Sequence, residues 1–230
     1  MKLNERQQQI FEIVESKGRV SSAYLSKKLY VSEMTIRRDL CKMEIEGLIK
    51  RYHGGAIACG SYTDYPFELR MKMFEKEKRS IAAAAEKYIC DGQTIFLHSS
   101  STCAYIVPCL KGHSNIKVVT NSIQIMLTVS KLGIPCTLTG GIYYESERCL
   151  IGRVAESNLR EINPDIAFLS CSGISEDGTV SESDEETAIL TKIAFKNATK
   201  KIILADSSKL NSKYTYNICN TAEADEVIIF

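Results

Sequence analysis

The stretch VSEMTIRRDL, residues 31–40, predicts one helix with two different faces. Ile36, Leu40 and Met43 recur at i, i+4 and i+7, the spacing of an apolar stripe that packs on a core. Ser32 precedes the run and is a residue type that caps a helix start. The side chains that would point away from the stripe are Met34, Arg38, Cys41 and Lys42, with Thr35 and Arg37 flanking them. The outer face therefore carries a hydroxyl and two guanidinium groups near its start.

Two further helices are predicted before this stretch. Asn4 and Gln7 have the spacing of a capping box, and the helix that they open ends at Gly18. A second helix is expected after Ser21 or Ser22. Three short helices, of which the third exposes basic side chains, are typical of a helix-turn-helix.

A hairpin is predicted directly after the third helix. Gly47 ends that helix, and Gly54-Gly55 separates two extended, partly apolar runs within residues 48–57. A hairpin at this place would be the wing of a winged helix-turn-helix. Its basic side chains, which we expect along a phosphate backbone, are Lys50, Arg51 and His53.

Charge is divided unevenly along the chain. Residues 1–58 contain 11 Lys and Arg against 7 Asp and Glu, giving +4, whereas residues 59–230 contain 18 against 21, giving −3. A small basic segment on a slightly acidic remainder favours a nucleic-acid-binding module attached to a second domain. The total of +1 indicates no partner by itself.

Composition argues against several other classes of protein. The nine cysteines include no Cys-x-x-Cys pair, so reduced and mostly buried thiols are expected rather than a zinc site or a disulfide framework. No run of about 18 apolar residues predicts a membrane span. The N-terminus has charges where an export signal needs an apolar run. We therefore expect a cytoplasmic protein with no membrane partner, no metal and no cofactor.

The remainder of the chain predicts an α/β domain. Residues 58–66 are polar with Gly and Pro and predict a linker, and an interrupted or bent helix is expected over residues 67–89. Strands are then predicted over 94–98, 117–120, 136–139, 166–170, 201–205 and 226–230, with helical segments over 102–110, 122–132, 153–161 and 184–198. Such alternation is typical of a mostly parallel sheet.

Polar residues follow five of the predicted strands, at the edge where an open α/β sheet binds its ligands. Residues 99–102 offer four hydroxyls at a helix start, which suits a phosphate. The other strand ends are Thr120-Asn121, Gly140-Gly141, Cys171-Ser172-Gly173 and, with a cation at Lys209, residues 206–209. Each of them alone is also an ordinary turn or cap, so only the whole set favours an anion-binding site.

Two other polar features are less specific. His98 follows the first of these strands, but the sequence places no carboxylate beside it, so a structural histidine is expected more than a general base. The acidic run ESDEE, residues 182–186, is typical of a solvated helix start. Binding of sugar hydroxyls by one of its carboxylates is the alternative.

Two segments together resemble the DNA-binding signature of the DeoR family of bacterial regulators: residues 31–40 and RYHGGA at 51–56. The remainder resembles the sensor domain of the same family. The matching segments are KRSIA at 78–82, DGQTIFL at 91–97, VTNS at 119–122, TGG at 139–141, DIAF at 165–168 and ADSSK at 205–209. The resemblance covers nearly the whole chain.

This resemblance implies a winged helix-turn-helix, mostly α, followed by an α/β domain that resembles ribose-5-phosphate isomerase and has a mostly parallel sheet. It implies a repressor of a carbohydrate operon that binds double-stranded operator DNA, responds to a phosphorylated sugar or related effector, and forms a homodimer or homotetramer. The implied DNA-binding residues are Ser32, Glu33, Thr35, Arg37, Arg38, Lys42, Lys50, Arg51 and His53. The implied effector-binding residues are Ser99, Ser100, Ser101, Thr102, Thr120, Asn121, Gly140, Gly141, Gly173, Glu186 and Lys209.

The expected domains are accordingly a DNA-binding domain over 1–58, a linker with the start of a connecting helix over 59–74, and an effector-sensing domain over 75–230.

Departures from the family pattern leave two alternatives open. His98 stands where the family usually has Asp, and Ser100 where it has Gly, which leaves open a regulator that has lost effector binding. The second alternative is an isomerase-like enzyme. Cys171-Ser172 disfavours it because they replace Ala-Asp, and the related isomerases use carboxylates near that strand end for proton transfer. No catalytic residue is assigned.

Overall fold

The helices of the N-terminal part begin at the caps that the sequence predicts. In the computed structural model, which describes residues 3–60 and 65–230, these helices are α1 (Glu5–Lys17), α2 (Ser22–Leu29) and α3 (Glu33–Ile45). Asn4 and Gln7 form the predicted capping box, and the side chains of Ser21 and Ser32 accept from backbone amides of the following turns. Gly18 ends α1 with a φ of 69°, which glycine adopts without strain.

The wing has three strands rather than two. β2 (Lys50–Tyr52) and β3 (Gly55–Ile57) form the predicted hairpin, and β1 (Arg19–Ser21) pairs antiparallel with the other side of β3. β1 is only three residues long, which is too short for a periodic pattern. A Cβ added at Gly55 would lie 2.1 Å from the carbonyl oxygen of Val20, so β1 and β3 require glycine there.

Residues 65–70 pack with the N-terminal helices, although the sequence pattern placed them in the linker and connecting helix. Tyr65 is 4% exposed, and its ring meets that of Phe11 edge to face with 5.7 Å between centroids. The backbone amide of Cys59 donates to the Tyr65 hydroxyl at 3.1 Å. The N-terminal part of the fold therefore continues beyond residue 58, because Tyr65 packs against Phe11 in its core.

The chain divides into two compact units between Arg70 and Met71. The helix expected over residues 67–89 is interrupted, as predicted: α4 (Phe67–Arg70) and α5 (Glu75–Glu86) are separate, and Phe74 between them has a φ of 53°. Residues 61–64 of the predicted linker lie outside the described residues.

The second unit is built on a six-stranded sheet, and its neighbouring strands are parallel as predicted. The strands are β4 (Thr94–Leu97), β5 (Lys117–Thr120), β6 (Cys136–Leu138), β9 (Ile166–Leu169), β12 (Lys200–Ala205) and β14 (Glu226–Ile229). Their order across the sheet is β14-β12-β9-β4-β5-β6. β4 therefore pairs with a strand far along the chain, and Ile95 lies opposite Ile166.

Helices cover both faces of this sheet. They are a 3-10 segment (Cys103–Leu110), α6 (Ile123–Ser130), α7 (Arg153–Arg160) and α8 (Glu185–Asn197), together with α5. Ile95 and Leu97 of β4 enter one apolar core with α5 and α6, whereas Phe96 enters a second core with α7 and α8. Burial on both faces explains why the central strands β4 and β9 are nearly continuous apolar runs in the sequence.

Five short strands of the second unit were missed by the sequence pattern. They are β7 (Ile142–Tyr144), β8 (Cys149–Ile151), β10 (Gly173–Ile174), β11 (Thr179–Glu182) and β13 (Tyr216–Asn220). β7 and β8 form a hairpin, and the other three form an antiparallel sheet in the order β10-β11-β13. β11 was not predictable from hydrophobicity because its Ser181 and Glu182 are polar and yet buried.

All nine cysteines are free. Four of them are buried, four are partly buried, and Cys90 is exposed. Burial raises the pKa of the Cys103 thiol to about 12, which suppresses the reactive thiolate. Within the described residues, no three His, Cys, Asp or Glu side chains are grouped as a metal site requires, and no helix has the length and apolarity to cross a membrane.

Candidate functional site

The outer face of α3 is open to solvent and basic. Met34 is 68% exposed, and Arg37, Arg38 and Lys42 are exposed as well. The Arg37 guanidinium lies 3.6 Å from the Glu33 carboxylate one turn away, an exposed ion pair of small energy. Within the described part of the chain, Arg38 and Lys42 make no side-chain hydrogen bond or ion pair, so both cations are available to an anionic partner.

The acidic residue of the TIRRDL segment faces inward. Asp39 is 4% exposed, and its Oδ2 accepts from Nε of Arg6 at 2.6 Å. The same hydrogen bond raises the pKa of Arg6. The negative charge of Asp39 is therefore paired on the far side of α3 and leaves the outer face positive.

Ser32 and Thr35 bond to each other at the start of α3. Their hydroxyl oxygens are 2.9 Å apart, and Ser32 Oγ also accepts from the backbone amide of Thr35 at 3.2 Å. Both hydroxyls therefore stabilise the helix start. As contacts to DNA, Ser32 and Thr35 stay predictions, like the other residues of the outer face.

The basic side chains of the wing differ in their surroundings. Nη1 of Arg51 lies 3.4 Å from Oε2 of Glu44 and 2.7 Å from Sγ of Cys41, so α3 holds this guanidinium in place. Lys50 donates from Nζ to the Cys59 carbonyl at 3.2 Å, and His53 is exposed. A cleft of about 150 Å³ between α3 and the wing is lined by Ser22, Arg37, Arg51, Tyr52, His53, Gly54 and Gly55.

In the second unit, the ends of β4 and β5 are joined through one asparagine. Asn121 is fully buried; its Oδ1 accepts from the Ser99 amide at 3.2 Å, and its Nδ2 donates to Ser99 Oγ at 2.9 Å. Thr120 donates from Oγ1 to the Leu97 carbonyl at 2.6 Å. The backbone amide of Leu150 on β8 donates to the Asn121 carbonyl at 2.8 Å. The predicted residues Ser99, Thr120 and Asn121 therefore form one connected group.

A buried lysine lies beside the predicted phosphate loop. Lys78 of α5 is 0% exposed and donates from Nζ to Ser101 Oγ at 3.1 Å. Ser99, Ser101 and Thr102 are buried and Ser100 is partly buried, with Ser100 Oγ accepting from the Cys103 amide. An ammonium group next to hydroxyls at the carboxyl end of β4 has the chemistry of an anion site.

A second buried lysine lies at the end of β12. Lys209 is 3% exposed and Asp206 is 0% exposed. Burial is the main reason why the pKa of the Cys171 thiol is raised. The charge of Glu182 raises this pKa further, whereas the charge of Lys209 lowers it, so Cys171, Glu182 and Lys209 lie close together. Ser172 donates to the carboxylate of Glu182. This strand end therefore has both a cation and a carboxylate.

His98 has the surroundings of a neutral, structural histidine. It is 4% exposed, its Nε2 lies 3.1 Å from Oγ1 of Thr191, and burial lowers its pKa to about 4. Among the described residues, His98 Nδ1, Glu186 Oε2 and Asp206 Oδ2 are buried without a hydrogen-bond partner. At neutral pH a bound ligand would therefore meet an uncharged imidazole.

Two of the predicted glycines are required by packing of the chain itself. An added Cβ would lie 2.3 Å from the Ile151 carbonyl oxygen at Gly141 and 2.5 Å from that of Ser212 at Gly173. Gly140 meets only ordinary contacts, the nearest at 3.5 Å. The absence of side chains at Gly141 and Gly173 thus has a structural reason, and their contact with a ligand stays a prediction.

Comparison with known families assigns both parts of the chain. Residues 6–62 match the DeoR-like helix-turn-helix domain, and residues 73–229 match the DeoR C terminal sensor domain. The chain belongs to the DeoR family. It is a DNA-binding transcription regulator, with an N-terminal helix-turn-helix and a C-terminal sensor domain.

Relatives of this DeoR-family chain are similar over nearly its whole length. An uncharacterized HTH-type transcriptional regulator of Bacillus subtilis is 34% identical over 99% of this chain and 89% of its own. The glycerol-3-phosphate regulon repressor of Escherichia coli is 29% identical over 99% and 90%. The lactose phosphotransferase system repressor of Lactococcus lactis is 31% identical over 92% and 84%.

Two solved structures are similar to this DeoR-family chain, and the similarity concerns only the fold. A translation initiation factor eIF-2B of Pyrococcus horikoshii has a TM-score of 0.53 at 14% identity, covering 97% of this chain and 86% of that chain. A ribose 5-phosphate isomerase of Plasmodium falciparum has a TM-score of 0.42 at 22% identity, covering 58% and 51%.

Sequence reasoning missed Lys78 as a member of the candidate site of this DeoR-family protein, and it considered Glu182 only as one carboxylate of the acidic run 182–186. Lys78 lies on the same helical stripe as Ile81, Ala82 and Ala85, which are all buried, so a lysine on an apolar stripe was the available signal. The acidic run did not single out Glu182, because nothing in the sequence shows that Glu182 is buried in β11 while the helix begins only after Asp184.

Proposed function

We propose that this DeoR-family regulator represses a carbohydrate-metabolism operon and that a phosphorylated sugar bound by its second unit changes its affinity for operator DNA. Two relatives similar over most of this chain are named as repressors, of the glycerol-3-phosphate regulon and of the lactose phosphotransferase system. Because the operator is chromosomal, the proposed place of action is the cytoplasm. The proposal includes no catalysis.

In the proposed complex, a homodimer or homotetramer places pairs of α3 helices in successive major grooves, about 34 Å apart. Arg38 and Lys42 extend from the exposed face of α3, where they are available to base edges and nearby phosphates. Arg37, Arg51 and His53 line the cleft between α3 and the wing, which we assign to the phosphate backbone. Phosphate contacts fix the register of the helix, and base contacts give sequence preference.

The position of the buried Lys78 beside the loop of residues 99–102 is the observation that supports a phosphorylated effector most strongly. Its Nζ donates to Ser101 Oγ in the loop of residues 99–102, so an ammonium group is held directly beside the loop that we assign to the phosphate. Charged hydrogen bonds from an ammonium group to phosphate oxygens are among the strong ones. Lys209, also buried, is the second cation that we assign to the effector.

Regulation requires that the effector bind the DNA-competent and DNA-incompetent arrangements with different affinity, since otherwise it shifts nothing. The group formed by Ser99, Asn121 and Leu150 offers a physical route from the phosphate loop to the hairpin β7–β8. A ligand that orders the loop at Ser99 would therefore also restrain the hairpin.

A melting-shift screen of the full chain tests the effector half of the proposal. The panel pairs each sugar phosphate with its unphosphorylated sugar, and inorganic phosphate is a further control. A ligand at a hundred times its Kd stabilises the folded state by about 2.7 kcal/mol, so a specific effector should raise Tm by several degrees. A sugar phosphate that stabilises the chain should also change its affinity for DNA duplexes.

The same screen, together with a duplex-binding assay and a turnover assay, separates the alternatives. A chain that binds duplex DNA but is stabilised by none of the panel would be a regulator without a sugar-phosphate effector. Turnover of ribose 5-phosphate by the pure protein would favour the isomerase-like enzyme, for which the Glu182 carboxylate beside Ser172 is the candidate group.

A further inference from the structure

The two methionines of α3 have opposite surroundings. Met43 is 1% exposed and completes the stripe that packs against the core, whereas Met34 is 68% exposed and contributes nothing to that core. Met34 lies in the first turn of α3, two residues after the cap Ser32. The first turn of the third helix in a helix-turn-helix is the part that meets base edges.

Most polar side chains around Met34 make hydrogen bonds or ion pairs within the protein, and Arg38 is the exception among the described residues. Ser32 and Thr35 bond to each other, and Arg37 pairs with Glu33. Arg38 is exposed and makes no such contact with the described residues. Met34 and Arg38 are separated by one turn, so they are neighbours on one strip of the helix surface.

The major-groove edge of DNA offers one apolar group to such a side chain, the 5-methyl group of thymine. Methionine is unbranched and polarizable, so its thioether adapts to the position of a methyl group without distorting the helix. A thymine methyl therefore has the chemistry to match Met34, and a guanine has the chemistry to match the two donors that Arg38 can present.

We propose that Met34 is a specificity-determining residue that contacts a thymine methyl, one or two base pairs from a guanine bound by Arg38. The spacing follows from the geometry: side chains at i and i+4 have Cβ atoms about 5–6 Å apart, and successive base pairs are about 3.4 Å apart. The inference rests on the proposed function, because it assigns a role within the DNA contact of α3.

The test begins with duplexes selected by the full chain from a random pool, which requires no knowledge of the operon. Each thymine of the best duplex is then replaced singly by deoxyuridine, which removes only the methyl group. At one thymine per half-site we expect the wild-type affinity to fall about four-fold, the equivalent of about 0.8 kcal/mol for one buried methyl-sized group. The guanine nearest to that thymine should be the position at which Arg38→Ala loses its base preference.

Met34→Ala completes a double-mutant cycle with the deoxyuridine duplex. We expect this variant to bind the thymine duplex about four-fold more weakly for each of its two half-sites, about sixteen-fold in all, and to be indifferent to deoxyuridine at the same position. Ile45→Ala is the matched control, because Ile45 is 85% exposed at the other end of α3. It should retain the wild-type sensitivity to deoxyuridine.

Two results would overturn the inference while leaving the proposed function intact: a wild-type chain indifferent to deoxyuridine at every thymine, or Met34→Ala retaining the full penalty. A pool from which no duplex is enriched would overturn the proposed function and the inference together. Because Met34 is exposed, Met34→Ala should melt at the wild-type temperature, and this measurement accompanies the binding data.

Discussion

Nε of Arg6 donates to Oδ2 of Asp39 at 2.6 Å, which joins the first turn of α1 to the middle of α3. Asp39 also accepts from Nε2 of Gln7 at 3.4 Å, and its carboxylate is almost fully buried. The helix whose outer face we propose for the DNA contact is thus fixed from behind by a charged hydrogen bond.

Asp39→Asn should destabilise the N-terminal unit by about 1 kcal/mol. Hydrogen bonds to charged groups contribute roughly 1.5–3 kcal/mol, and the value is reduced here because the Arg6 side chain is 37% exposed. Hydrogen exchange of the α1 and α3 amides in the full chain measures the loss. Arg38→Ala, which removes an exposed side chain of the same helix, is the control and should leave that exchange unchanged. Equal protection in Asp39→Asn and wild type would contradict the prediction.

Arg38→Ala should weaken binding to a selected duplex roughly ten-fold for each half-site, within the range of about 1–3 kcal/mol for one guanidinium on one guanine. Fluorescence anisotropy at a fixed salt concentration measures the change. Arg160→Ala is the control, because it removes an exposed cation of α7 that pairs with Glu156 in the second unit. Unchanged affinity and an unchanged salt dependence would remove Arg38 from the contacts.

Lys78→Met should abolish stabilisation by a sugar phosphate, because it removes the ammonium group that donates to Ser101 Oγ beside the proposed phosphate loop. The ligand-free chain should melt at a lower temperature, because removing one member of a buried polar pair leaves the other uncompensated. Melting curves with and without ligand measure both quantities. Lys192→Met changes an exposed lysine of α8 and should retain the ligand effect. A variant that unfolds without ligand but is still rescued by a sugar phosphate would point to a purely structural Lys78.

His98 should make the protein less stable as the pH falls from about 6.5 to about 4. Burial holds its pKa at about 4 in the folded state, below the ordinary value of 6.5, so only the unfolded state takes up a proton in that interval. Stability therefore declines by up to about 1.4 kcal/mol per pH unit on acidification. His98→Gln should flatten the measured pH dependence in this window by one proton. His53→Gln, at an exposed position, should retain the wild-type slope.

The elements that the sequence predicted are those in which local chemistry and burial agree. Asn4 and Ser32 mark helix starts by their capping side chains, and Gly18 marks a helix end by its positive φ. Ile36 and Leu40 mark the buried face of α3. The central strands β4 and β9 were predictable because burial on both faces leaves apolar residues at nearly every position. The family signature supplied the rest of the two-domain fold.

The elements that were missed depend on contacts between distant segments. β11 buries Ser181 and Glu182, which hydropathy alone assigns to the surface. The pairing of Arg51 with Glu44 and Cys41 could not be predicted, because side-chain partners across a turn leave no periodic signal. The buried Lys78 was visible only as one charge on an apolar stripe, and its partner Ser101 is 23 residues away.

The pairing of β4 with β9 at the centre of the sheet also determines when the sheet can form during synthesis of the chain. Ile95 cannot meet Ile166 until the ribosome has made about 70 further residues, and β14 at the sheet edge is the last strand to emerge. The helices of the N-terminal unit close over much shorter sequence separations, so they should fold first. The nascent chain therefore spends an interval with β5 paired on both sides, by β4 and β6, and the apolar β4 unpaired on the side where β9 will lie. In that interval we expect this regulator to depend on chaperones, long before it meets DNA.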